Sequence, residues 1–152
     1  MKKKVLPQSI PRPIEILLAL CGLIAVAPVL LLAAALIRLD SRGKILFRQR
    51  RIGLNGEEFT LLKLRTMRPA KKGLMITAAD DMRVTRVGRF LRRAKIDELP
   101  ELWNVVRGDM SFVGPRPEVE QFVDLHDPVW REILSHRPGI TDPVTLRLRN
   151  EE

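Results

Sequence analysis

Ile14-Glu15-Ile16-Leu17-Leu18-Ala19-Leu20-Cys21-Gly22-Leu23-Ile24-Ala25-Val26-Ala27-Pro28-Val29-Leu30-Leu31-Leu32-Ala33-Ala34-Ala35-Leu36-Ile37 is the stretch on which the fold turns, because its only charged residue is Glu15, near its start. As a straight helix it would be ~36 Å long, enough to cross a bilayer. Pro28 lies near its middle, where proline removes a helix hydrogen bond and crowds the preceding turn. Lys2, Lys3, Lys4 and Arg12 precede the stretch, and Arg38, Arg42 and Lys44 follow it. A spanning helix should leave one flank poorer in Lys and Arg, whereas here both flanks favour the cytoplasmic side. The pattern predicts a helix-break-helix that enters the bilayer, bends at Pro28 and returns to the same face, with Glu15 near the headgroups. A plain span kinked at Pro28 is the main alternative. A cleaved signal peptide fits poorly, because a cut after Ala25-Val26-Ala27 would leave Pro28 and more apolar residues directly behind it.

Around this segment, 152 residues leave room for one compact domain, so residues 1–40 are read as the membrane helix and 41–152 as a compact cytoplasmic domain. The net charge of +9 is unevenly spread: +3 over residues 1–41, +12 over 42–95 and −6 over 96–152. A basic middle joined to an acidic end suits a site that grips phosphate on one side and offers carboxylates on the other. Cys21 is the single cysteine, which excludes an intramolecular disulfide and any cysteine cluster for a metal. It reads as a small buried or lipid-facing residue.

Beyond Asp40-Ser41-Arg42-Gly43 the chain changes to short apolar runs studded with charge. Residues 44–52 and 58–67 read as strands of a β-hairpin about Gly53-Leu54-Asn55-Gly56. Residues 68–81 read as a loop. Residues 81–94 read as a basic amphipathic helix, with Val84, Val87, Phe90 and Leu91 on one stripe and five arginines on the other faces. A second helix is expected over 97–106, with Leu99, Leu102, Trp103 and Val106 inward and Pro100 in its first turn. Residues 111–117 read as a rigid turn, 118–125 and 129–135 as short helices, and 137–139 as the start of a loop. The expected class is α+β, mainly helical: a broken re-entrant membrane helix, then a compact cytoplasmic domain with a small β-hairpin and amphipathic interfacial helices.

The chemistry gathers at Asp97 and Glu98. Aspartate there also suits a plain helix cap. A carboxylate can nevertheless attack phosphorus, provided cations or a metal neutralise the phosphate. Arg92 and Arg93 lie about one turn upstream, and a neighbouring carboxylate could hold Mg²⁺. Arg116 stands between Pro115 and Pro117, so its guanidinium would lose little freedom on binding a phosphate or a base. His126 and His136 belong to no metal-ligand spacing and read as surface or packing residues.

Successive motifs then resemble one family. They are Phe47-Arg48-Gln49 with Gly53, Phe59 with Lys63-Leu64-Arg65-Thr66-Met67, and Thr85-Arg86-Val87-Gly88-Arg89-Phe90-Leu91-Arg92. Lys95-Ile96-Asp97-Glu98-Leu99-Pro100, Gly108-Asp109-Met110-Ser111-Phe112-Val113-Gly114-Pro115-Arg116-Pro117 and Arg137-Pro138-Gly139-Ile140-Thr141 complete the series. In order, over roughly residues 14–141, they resemble the bacterial sugar transferases, the monotopic phosphoglycosyl transferases. The resemblance implies that Asp97 attacks the sugar-linked phosphate of a UDP-sugar, expels UMP and holds the phosphosugar covalently. Glu98 would assist Mg²⁺ and serve as its ligand. A polyprenol (undecaprenyl) phosphate would then take the phosphosugar, as the first membrane step of glycoconjugate biosynthesis. Arg92 and Arg116 match positions that handle substrate phosphates or nucleotide, and Lys63 and Arg65 are weaker matches of the same kind. The implied place is the bacterial inner membrane, monotopic, with the catalytic domain on the cytoplasmic face among inner-membrane lipid. A homodimer is left open.

The chain also departs from the family pattern. Ala27 stands where members commonly place serine before the breaking proline. The stretch after Thr141 looks like the tail of the small form, without the Gly-x-x-Gln-Val-Asn-Gly continuation, and the transmembrane helices that precede this unit in larger relatives are not expected. A rival from another class is a membrane-tethered basic module that binds lipid or nucleic acid without chemistry. An aromatic content of 5% with no tyrosine gives few stacking platforms, so no nucleic-acid partner is expected. A nucleotide-sugar hydrolase is the enzymatic rival.

Overall fold

The computed structural model describes residues 10–68 and 83–142, and the loop expected over 68–81 falls almost entirely outside them. Among the described residues, four α-helices and two two-stranded sheets make up a mixed architecture. Helix α1 (Arg12–Asp40) is followed by strands β1 (Leu46–Ile52) and β2 (Glu58–Leu64) and by helices α2 (Arg86–Arg93) and α3 (Glu101–Arg107). Strand β3 (Ser111–Val113), helix α4 (Pro128–Leu134) and strand β4 (Gly139–Thr141) complete the order.

Helix α1 is one continuous element that passes through Pro28, where two helices with a break were expected. Proline removes a single donor from the ladder, and the bonds on either side carry the helix onward. By length and composition α1 is the one described helix able to cross a membrane. One face of it lies bare, with Leu17 60%, Ile24 76% and Leu31 72% exposed. A soluble monomer rarely leaves so long an apolar surface open, and this one is consistent with membrane association.

One face of α1 packs along its length against the rest of the described residues, from Glu15 and Ala19 through Gly22, which lies against Leu102, and Leu30 to Ala33 and Ile37. Ala19 joins Leu61, Val105 and Met110 in one buried cluster, while Ala33 and Ile37 join Leu64 and Leu91 in a second. The domain therefore has two small cores, each completed by one end of the apolar helix.

The hairpin forms as expected, with β1 and β2 antiparallel from Leu46 opposite Leu64 to Ile52 opposite Glu58. Asn55 sits at φ 56° in the turn, a conformation asparagine tolerates well. Other elements are shorter than the sequence suggests. Helix α2 begins at Arg86 rather than near Asp81, because the Thr85 hydroxyl accepts from the Gly88 amide (2.9 Å) and Val84 bridges to Met67. Of the apolar stripe, Leu91 is buried as expected, whereas Phe90 is 60% exposed.

The helix expected over 97–106 divides into a 3-10 turn at Ile96–Glu98 and then α3, with Pro100 in the N-cap position. Its buried face is Glu101, Asn104 and Val105, and Trp103 is exposed. Asn104 explains the rotation. Its Oδ1 accepts from the Leu62 amide (3.1 Å) and its Nδ2 donates to the Thr60 carbonyl (2.7 Å) and to Asp109 (3.0 Å), which fastens α3 to β2. Residues 111–113, expected to open a turn, form β3 in parallel with β4, where a loop was expected. Of the helix expected over 118–125 there is only a 3-10 turn at Glu120–Phe122. Helix α4 appears as expected, started by Asp127, which accepts from Val129 N (2.8 Å).

Candidate active site

Asp97 lies in the 3-10 turn that follows α2. Lys95, at φ 58°, reverses the chain after the helix, and the turn it starts points Asp97 inward. The neighbouring Ile96 packs on the cluster of Ala33, Ile37, Leu64 and Leu91. The turn is thus seated against the second half of the apolar helix.

Asp97 is 8% exposed, and its Oδ1 is buried with no hydrogen-bond partner. Burial raises the pKa of this carboxyl above its usual value, and the charge of Glu98 adds to the rise. Lys63 and Arg92 pull it back down. A buried acceptor without a donor is costly in a folded chain and calls for a cation or a ligand proton.

Glu98 meets the opposite balance. Burial pulls its pKa upward, but the hydrogen bond and charge of Lys63, with Lys95 and Arg116, outweigh it and leave the carboxyl below its usual value. Lys63 Nζ stands 2.9 Å from Glu98 Oε1 and 3.2 Å from Glu101 Oε1. One ammonium is therefore shared by two carboxylates. Glu101 is 4% exposed, and burial pushes its pKa up to about 7 against the pull of Lys63.

Two arginines flank this group. Arg92 Nε donates to Thr66 Oγ1 (2.8 Å), which fixes its guanidinium at the end of β2. The approach that allows this bond needs Gly88, since a Cβ there would run into the Thr66 backbone. Arg116 is more than half exposed, with NH2 3.9 Å from Glu98 Oε1. Its loop is pinned on one side by β4, through Gly114 N to Thr141 O (3.0 Å) and Gly139 N to Pro115 O (3.0 Å). On the other side Arg51 NH1 donates to the Pro117 carbonyl (2.9 Å), and Ile52 N donates to Glu118 O (2.8 Å).

The fold thus gathers Asp97, Glu98, Lys63, Arg92 and Arg116. Arg65 is engaged elsewhere: its NH2 donates to Ser41 O (2.7 Å) and Ser41 Oγ (2.9 Å), and its NH1 to Arg42 O (3.1 Å), at the end of α1. Sequence reasoning passed over Glu101, although it stands three residues after Glu98 and four after Asp97, a spacing that brings side chains to one helical face. Thr66 and Arg51 gave no comparable signal, because their roles depend on strand register.

The site is thus a buried carboxylate flanked by cations, set beside an apolar helix long enough to cross a membrane. The chain belongs to the bacterial sugar transferase family, whose pattern matches residues 6–152. It is 51% identical over 126 residues to the UDP-glucose:undecaprenyl-phosphate glucose-1-phosphate transferase of Caulobacter vibrioides, covering 80% of this chain and 47% of that protein. It is 40% identical over 157 residues to the exopolysaccharide production protein ExoY of Sinorhizobium fredii, covering 92% and 70%. The UDP-N-acetylgalactosamine-undecaprenyl-phosphate N-acetylgalactosaminephosphotransferase of Aeromonas hydrophila is 41% identical over 139 residues, covering 87% and 32%. The chain therefore spans less than half the length of two of these three relatives.

Proposed function

We propose that this protein is a phosphoglycosyl transferase that moves a phosphosugar from a UDP-sugar to undecaprenyl phosphate through a covalent intermediate on Asp97. The observation that carries the reading is the buried, unpartnered Oδ1 of Asp97 beside Lys63 and Arg92, with Arg116 at the neighbouring Glu98. The names of the relatives supply the substrates: each of the two named for its reaction acts on a UDP-sugar and undecaprenyl phosphate.

In the first step a carboxylate oxygen of Asp97 forms a bond to the sugar-linked phosphorus. The bond from that phosphorus to the bridging oxygen breaks, and UMP leaves with the electron pair. Arg92 and Arg116 hold the phosphate oxygens, and Lys63 keeps Glu98 ionised and oriented. In the second step an oxygen of undecaprenyl phosphate attacks the same phosphorus. The lipid diphosphate sugar departs, and Asp97 is again a free carboxylate.

Mg²⁺ fits these residues. Asp97 offers a buried oxygen without a protein donor and Glu98 a second carboxylate, and magnesium is commonly held by one or two carboxylates together with substrate phosphates. When bound it would neutralise charge on the phosphates.

The same reading places the protein monotopically in the inner membrane, with the catalytic domain on the cytoplasmic face. Both ends of α1 pack on one domain, which disfavours ends on opposite sides of a bilayer. On this reading the helix bends at Pro28 in the membrane and lays its exposed apolar face in one leaflet.

Incubation with a UDP-sugar alone should add one phosphosugar to the intact mass, and Asp97→Asn should abolish the gain. An adduct that persists in Asp97→Asn would remove Asp97 as nucleophile. Sugar phosphate released equally fast without undecaprenyl phosphate would point to a hydrolase instead.

A further inference from the structure

Each end of α1 makes a polar contact with a segment that carries a site arginine. At the first end Glu15 is 2% exposed, deep for a carboxylate at the start of an apolar helix. Its Oε1 accepts from the Ser111 hydroxyl and from the Phe112 amide (3.3 Å), and its Oε2 pairs with Arg12 (3.0 Å). Arg12 in turn donates to the carbonyls of Val105 and Met110. Ser111 and Phe112 belong to β3, which leads directly into the loop that presents Arg116.

At the second end Asp40, the last residue of α1, accepts through Oδ2 from the Val87 amide (3.2 Å). Val87 lies in the first turn of α2, whose orphan amides need acceptors from outside the helix. Thr85 supplies one of them from within the same segment, and Asp40 supplies another from the membrane helix. Helix α2 ends in Arg92 and Arg93 and leads through Lys95 to Asp97.

We propose that α1 is part of the site's scaffold as well as an anchor: Glu15 and Asp40 are positioning residues through which its seating in lipid sets Arg116 and Arg92 about Asp97. A simple tether would need neither contact, and burying Glu15 would then bring only a desolvation cost. The functional half of this inference rests on the transferase reading above. The mechanical half does not.

The test uses the full chain in lipid nanodiscs and two readouts. The first is amide hydrogen exchange over 87–92 and 111–116. The second is the initial rate of covalent adduct formation with UDP-glucose, or with whichever of a panel of UDP-sugars labels the unsubstituted protein. Asp40→Ala should speed exchange over 87–92 about fivefold, as expected for a lost cap acceptor, and slow adduct formation by a similar factor. Asp40→Asn keeps an acceptor and should restore both. Glu15→Ala should do the same to 111–116, with Glu15→Gln recovering part of the loss. Unchanged exchange and rate in both alanine variants would overturn the proposal. So would equal impairment in Asp40→Ala and Asp40→Asn, which would mean that the cap is not what matters. If no sugar labels the unsubstituted protein, the transferase reading fails, while the exchange readout still decides whether the contacts act as proposed.

Discussion

Glu101 shows how the site's charges are held in balance. Its carboxyl ordinarily titrates at 4.5 and here at about 7, because burial disfavours the charged form. The folded state therefore keeps a proton that the unfolded chain has already released. Stability falls as pH rises from 4.5 to about 7, and the penalty is then constant. Glu101→Gln removes the ionisation and still offers Lys63 an acceptor. Thermal unfolding should show this variant gaining on the parent protein between pH 5 and pH 8; a difference that stays flat across that range would argue against a buried charge here. Lys63 carries more weight, because it faces two carboxylates. Lys63→Met should cost about 2 kcal/mol, below the scale for one partner of a fully buried pair because Lys63 and Glu98 stay partly exposed, and Glu101→Gln in the same chain should return part of it. Urea unfolding of the two single variants and the double variant measures that coupling.

Among the elements, α1 and α3 decide the architecture. Asn104 ties α3 to β2 through the Leu62 amide and the Thr60 carbonyl. Asn104→Ala would leave both without their side-chain partner and should cost about 1–3 kcal/mol. Asn104→Leu, which restores volume but not polarity, should do no better. For α1, cysteines placed one at a time at Ile10 and Arg42, in a Cys21→Ser background, should both react with a membrane-impermeant reagent from the cytoplasmic side. Reaction from opposite sides would mean a true span. The sequence made α1 legible by composition, and the hairpin by its alternation and the Asn-Gly turn. It did not reveal β3 or β4, because three-residue strands carry no periodicity. It also misjudged α3, where Trp103 was expected inward, because hydrophobicity alone ignores a buried amide that satisfies two backbone groups.

For the whole molecule, the apolar helix is as much a core element as an anchor. Ala19, Ala33 and Ile37 complete both buried clusters, so a chain restricted to residues 41–152 should fail to fold. Circular dichroism and solubility of that truncation check this, and a soluble, cooperatively melting fragment would refute it. What the sequence determined by itself was the long apolar segment and the hairpin, because composition and turn chemistry are local properties of a chain; its ordered motifs singled out Asp97, Glu98, Lys63, Arg92 and Arg116 together with Arg65, without showing which of them meet. What only the tertiary structure decided was that Glu101 shares Lys63 with Glu98, that Arg65 serves the end of α1, and that Glu15 and Asp40 reach the two arginine-bearing segments. Those facts depend on which elements pack side by side, and contacts between residues 15 and 111 or 40 and 87 leave no periodic trace along the chain.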